Sequence, residues 1–132
     1  MTGLVLALSV LCVGDSITAW PDINYCDDSV HETTNIAANY TSSFNWAGLD
    51  ADFWEAQGSF DVGTILLGTN DAIFLIEPEV VKANILAIAM QIHTYNASIV
   101  MISLEPYAFG EPGEARNPWL ELYNPLIAEL WD

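Results

Sequence analysis

Three nearly unbroken apolar runs, Leu4–Val13, Val62–Leu67 and Ile99–Leu104, constrain the fold of this chain more than any other feature. A strand wet on one face alternates apolar and polar residues. These runs do not alternate, so they read as strands buried on both faces, the pattern of a parallel sheet covered by helices. Between the second and third runs the spacing predicts a helix over Pro78–Tyr95. Proline suits its first turn because φ is preset there and the missing N–H has no helical partner to lose. Val81, Ile85, Ile88 and Ile92 form the inward stripe, with Lys82 and His93 together on another face. The result is a strand-helix-strand crossover, right-handed by the steric preference of twisted strands.

The flanking segments carry weaker signals. Pro21–Asn45 is polar and rich in Asp, Asn, Thr and Ser, with a short helix expected near Val30–Asn39 and a second strand around Tyr40–Trp46. Asn117-Pro118 opens a helix with apolar positions at Trp119, Leu120, Tyr123, Leu126, Ile127 and Leu130. Pro125 interrupts it, at the cost of a backbone hydrogen bond and with a kink expected. No repeat, low-complexity tract or linker divides the 132 residues, and 52% apolar content is ample for one core. The chain is therefore read as a single domain over residues 1–132.

Charge removes several classes of function. Formal net charge is −16, with Lys82 and Arg116 the only strong bases against eighteen carboxylates. Such a surface repels phosphate backbones, so no nucleic-acid partner is expected. The run Leu4–Val13 falls short of the roughly 20 apolar residues that span a bilayer, and it lacks a basic n-region. Neither membrane insertion nor a signal peptide is expected. The two cysteines, Cys12 and Cys26, are too few for a disulfide framework and have no metal-site spacing. Cys12 is expected as a small apolar filler of its strand. Asn39-Tyr40-Thr41 and Asn96-Ala97-Ser98 match the glycosylation triplet, a pattern that also arises by chance.

Chemistry concentrates where two of the apolar runs end. Gly14-Asp15-Ser16 follows the first and Gly68-Thr69-Asn70-Asp71 the second. In an open α/β sheet, ligands bind at the carboxyl ends of the strands. A serine there can present a hydroxyl nucleophile while its N–H donates to a developing oxyanion. Gly-Asp-Ser is equally an ordinary strand-ending turn with a capping residue. Asn70 on the same edge can add a side-chain donor, or merely cap its turn. Gly48, in Asn45-Trp46-Ala47-Gly48, is a candidate third donor because a residue without Cβ lets a substrate approach the main chain. Asp15 and Asp71 invite an acid/base pairing, but each is better read as a loop organiser that accepts backbone N–H bonds. Of the aromatics Trp20, Tyr25, Tyr40, Phe44, Trp46, Phe53 and Trp54, most are expected to be core or loop anchors.

Val13-Gly14-Asp15-Ser16-Ile17-Thr18, the Asn-x-x-Gly at Asn45–Gly48, and Leu66-Leu67-Gly68-Thr69-Asn70-Asp71-Ala72 resemble, in order, three of the four blocks of the SGNH (GDSL-like) hydrolases. Ile102-Ser103-Leu104-Glu105-Pro106 resembles the stretch that follows the third block. The resemblance implies a three-layer flavodoxin-like parallel sheet and a serine esterase or lipase acting on small-molecule esters of lipids or carbohydrates. By family role Ser16 is the nucleophile and a donor to the oxyanion, and Gly48 and Asn70 complete the hole. No metal or organic cofactor is implied.

One block is missing. The family places Asp-x-x-His on a loop after a further strand, and that histidine activates the serine. Here the only histidines are His31 and His93, neither in such a motif. A serine without a base is a poor nucleophile at neutral pH. Three explanations follow: a fragment of a longer gene product, lacking the last strand and helix of the sheet, which is the favoured expectation; a natural short form completed by another polypeptide; or a degenerate copy that binds esters without turnover. The alternative is a non-catalytic α/β module that binds acylated or polar small molecules at the same strand ends.

Overall fold

The computed structural model describes residues 7–19, 31–104 and 113–131. Within these residues four strands, β1 (Ser9–Gly14), β2 (Glu32–Asn35), β3 (Val62–Leu66) and β4 (Ile99–Ile102), form one sheet in the order β2-β1-β3-β4. Every pairing is parallel, with Ser9 opposite Glu32, Gly14 opposite Leu66 and Val62 opposite Ile99. Among the described residues six α-helices accompany the sheet: α1 (Ser16–Ala19), α2 (Ser43–Ala47), α3 (Ala51–Gln57), α4 (Thr69–Ile73), α5 (Pro78–Tyr95) and α6 (Asn117–Ala128). This is the α/β parallel sheet flanked by helices that the apolar runs predict.

Alternation along the strands separates two faces of the sheet. One face places Val13, Ile65 and Leu67 in a core with Trp46, Trp54, Val81, Ile85, Ile88, Ile92, Leu120, Tyr123 and Ile127. The predicted α5 stripe is the centre of this core, with all four members essentially inaccessible. Gly63 lets α5 lie close to β3, since a Cβ there would come within 2.5 Å of Ile92 Cγ2. The other face carries Val10, Cys12, Thr64, Leu66 and Met101 around a hollow of about 320 Å³. Trp46, Phe53 and Trp54 stack mutually at centroid distances of 5.1 to 6.2 Å, which makes them the anchors expected of them. Tyr40 and Phe44 are exposed instead, and Trp20 and Tyr25 lie outside the described residues.

Four expectations require correction. The second strand is Glu32–Asn35, where a helix is expected from sequence, and α2 occupies most of the stretch expected as strand. β2 is an edge strand of four polar residues and so has no apolar run to reveal it. Ser42 caps α2 reciprocally with Asn45, whose Oδ1 accepts from Ser42 N at 2.8 Å. β4 is not buried on both faces: Ile99 and Met101 are exposed, because β4 closes the described sheet at its edge. Cys12 is buried but disulfide-bonded rather than a free thiol. Of the two glycosylation triplets, Asn96 is buried and its amide donates to Trp54 O and Gly58 O at 2.7 and 2.8 Å, so it offers no acceptor nitrogen.

Among the described residues, no helix is long and apolar enough to cross a membrane. α6 continues through Pro125 to Ala128. It is held to the domain by Tyr123 Oη donating to Ile76 O and by the Lys82–Glu129 ion pair. Gly63→Ala should destabilise the domain by about 1–3 kcal/mol, because the new methyl meets a branched side chain in a packed core. Thermal denaturation followed by circular dichroism checks this; an unchanged midpoint would contradict the packing described.

Candidate active site

The strand order locates the site. The chain passes from β1 to β2 on one side and places β3 on the other, so the connections after β1 and β3 diverge. In a doubly wound sheet, this divergence opens a crevice at the carboxyl ends of those two strands. Gly14 and Leu66 are paired across it. Asp15 and Ser16 leave β1 directly above that pair, while Gly68-Thr69-Asn70-Asp71 leaves β3 beside them.

Two glycines permit these exits. A Cβ on Gly14 would lie 2.4 Å from Thr18 Oγ1 and 3.0 Å from Leu66 O, so only glycine lets α1 fold back this closely on the paired strands. Gly68 has φ 139° and ψ −27°, a conformation closed to residues with a Cβ, and it turns the chain abruptly into α4. Ser16 is placed by its backbone as the first residue of α1, in the turn where Ala19 N donates to Asp15 O at 2.9 Å. Asp15 is fully buried, and its Oδ1 accepts from Ile17 N at 2.9 Å. Asp15 thus organises the turn.

A third segment, residues 38–43, joins the two exits. Ala38 N donates to Gly14 O at 3.1 Å. Thr41 Oγ1 donates to Ala38 O at 2.7 Å, lies 3.3 Å from Gly14 O, and accepts from Trp46 Nε1 at 2.9 Å. Asn70 Nδ2 donates to Thr41 O at 2.7 Å, which fixes the amide orientation and leaves its second N–H for another acceptor. Ser43 binds Asp71 through both its N–H, at 3.0 Å, and its hydroxyl, at 2.6 Å; Asn84 Nδ2 in turn donates to Ser43 Oγ at 3.0 Å. Within this segment Tyr40 is left-handed, with φ 64°. Among the described residues, none accepts its N–H.

Asp71 is buried, and that burial raises its pKa above the ordinary carboxylate value, against the lowering effect of its bonds from Ser43. Tyr123 is likewise pushed well up, by burial first and then by the negative charges of Asp71 and Glu77.

Of the sequence-predicted site residues, Ser16 and Asn70 come to one edge and Gly48 does not join them. Gly48 caps the end of α2, and its N–H donates to Phe44 O at 3.1 Å, so that donor is occupied within its own helix end. The residues that sequence reasoning missed are Ala38 to Ser43. Their only local signal is the Ser42…Asn45 capping pair, which marks a helix start rather than a strand.

Neither histidine reaches this edge. His31 directly precedes β2, whose first residue pairs with the first residue of β1, and its Nδ1 accepts from Leu8 N at 3.0 Å. The length of β1, roughly 16 Å at about 3.3 Å per residue, separates it from Ser16. His93 lies in the last turn of α5, which leads into the start of β4, again at the amino edge. Among the described residues, no group of His, Cys, Asp and Glu is arranged to hold a metal ion.

Comparison of the sequence with protein-family models and with curated proteins finds no match. Solved structures do match. An acetylxylan esterase, Axe2 from Geobacillus stearothermophilus, superposes with a TM-score of 0.72 at 13% identity, over 95% of this chain and 72% of that one. A member of the lipolytic G-D-S-L family from Veillonella parvula gives 0.66 at 20% identity, over 92% and 73%. The psychrotrophic esterase EstA from Pseudoalteromonas, solved with monoethylphosphonate as inhibitor, gives 0.61 at 17% identity, over 92% and 70%.

Because burial raises the folded-state pKa of Asp71, the folded protein holds this proton more tightly than the unfolded chain. That contribution to stability is complete below about pH 4, the unfolded carboxylate value, and is lost as pH rises through the folded value. Asp71→Asn removes the titration. The melting temperature of the variant relative to wild type should therefore increase between about pH 4 and pH 8; a pH-independent difference would contradict it. The chain has the fold of the SGNH/GDSL-like hydrolases.

Proposed function

We propose that this domain is built for ester cleavage by acyl transfer to Ser16. What supports the proposal is that the chain leaves β1 at Asp15-Ser16 and β3 at Gly68-Thr69-Asn70 on one carboxyl edge, beyond the Gly14–Leu66 pair, with residues 38–43 bonded to both exits. In this reading the Ser16 hydroxyl attacks the ester carbonyl and loses its proton to a base. The tetrahedral oxyanion is received by the Ser16 N–H and the second N–H of the Asn70 amide. The Tyr40 N–H is the third donor, in place of the occupied Gly48 amide. Collapse expels the alcohol, and water then releases the acid from Ser16.

Turnover needs a proton acceptor that neither His31 nor His93 supplies, since both lie at the opposite edge. The base in this reading comes from outside these 132 residues, and the chain alone binds and acylates slowly. That same separation favours a second reading, a module that binds an ester without cleaving it. The acetylxylan and lipolytic activities named for the structural neighbours bracket the substrates: small-molecule esters of carbohydrates or lipids.

A fluorophosphonate probe tests the proposal. Stoichiometric labelling that disappears in Ser16→Ala supports the nucleophile, and labelling that persists in Ser16→Ala overturns it. Asn70→Ala should slow labelling about 10²–10³-fold, the usual effect of removing one preorganised oxyanion donor. Ester binding with no labelling of the wild type would support the binding module.

A further inference from the structure

Large apolar side chains stand exposed on the two segments that frame the crevice. Tyr40 lies within, and Phe44 just beyond, the strap of residues 38–43 that bonds Gly14 and Asn70, while Ile73, Phe74 and Leu75 follow Asn70-Asp71-Ala72; each is more than half exposed, Tyr40 at 86%. The two segments are tied together by Asn70 Nδ2 on Thr41 O and by Ser43 on Asp71, so their apolar residues share one rim. Solitary exposed apolar residues need no explanation, but a group of five at the mouth of a crevice does.

Backbone conformation points the same way. The only non-glycine residues with positive φ among those described are Tyr40, at 64°, and Leu75, at 56°. Bulky residues in the left-handed region are disfavoured, and such outliers concentrate at functional sites. Here one lies on each side of the crevice, and both carry exposed apolar side chains.

Charge identifies the occupant. The chain has eighteen carboxylates, yet residues 33–49 and 72–76 contain no charged residue. The two segments are an uncharged interval in a surface of net charge −16. An anionic lipid surface would be repelled by the rest of the protein, and a polyol would gain little from Ile, Leu and Phe. We infer that this rim binds the uncharged hydrocarbon chain of the ester substrate, so that the domain selects neutral esters with an extended apolar chain over acetyl esters. The identification of the ligand as an ester rests on the hydrolase reading above; the rim itself does not.

The test separates the two. Binding of methyl, hexyl and octyl β-D-glucosides, each kept below its micelle concentration, is measured by calorimetry on wild type, on the double variant Phe44→Ser/Phe74→Ser, and on Leu75→Gly. Affinity should rise about two- to fourfold per added methylene in wild type, the range for an apolar chain wholly or partly removed from water. The double variant should lose most of that dependence. Leu75→Gly keeps the domain folded, since glycine accepts its positive φ, and should weaken octyl binding at least threefold with the methyl glucoside unaffected. Absence of any chain-length dependence overturns the inference, as does dependence that survives in both variants, which would place the chain elsewhere, such as the hollow on the sheet face. Chain-length dependence without fluorophosphonate labelling leaves the rim standing and the hydrolase reading refuted; labelling without it does the reverse.

Discussion

Parallel pairing of β1 with β3, with Gly14 opposite Leu66, is the constraint from which the rest of the site follows. Parallel strands end on the same edge, so segments whose paired ends, Gly14 and Leu66, are 52 positions apart in sequence emerge side by side. The outward placement of β2 and β4 sends their continuations in opposite directions and leaves a crevice between them. Gly14 then has to be free of a Cβ because α1 folds back onto this pair, and Gly68 has to adopt a conformation that other residues avoid. Both glycines serve the register.

Neutral donors brace the carboxylates of the crevice. Strong bases are few, Lys82 and Arg116, and Lys82 is committed to Glu129. Asp71 accepts from the hydroxyl and N–H of Ser43, and Asp15 from the N–H of Ile17. A buried carboxylate without such donors would be strongly destabilising. These bonds fasten residues 38–43 to α4 and α5, and through Asn84 the strap is tied to the main core helix. The raised pKa of Asp71 marks the residual cost of its burial.

Identities of 13–20% to these solved structures carry the architecture and nothing finer. One architecture hosts many reactions, so the chemistry has to be argued from the edge itself. That edge contains a serine backbone, an oriented carboxamide and, in a left-handed turn, an N–H that no described residue accepts. What it lacks is an imidazole. The placement of His31 and His93 at the amino edge is a topological result, since each precedes a parallel strand that begins at the edge opposite the crevice.

Local residue patterns were sufficient for the buried strands, for α5 and its inward stripe, and for the placement of Ser16 and Asn70 at strand ends, because burial on both faces and helical periodicity are written in consecutive residues. They were not sufficient for β2, whose Glu32-Thr33-Thr34-Asn35 lies on an edge and so needs no apolar run. Nor did they reveal that the Gly48 N–H is engaged: one glycine looks permissive anywhere, and whether its N–H is available depends on a carbonyl four residues back that already accepts it. The bonds from residues 38–43 to Gly14 and Asn70 span 24 to 29 positions. Only the folded sheet brings those partners within hydrogen-bond reach, because strand order and register, rather than local propensity, decide which loops meet.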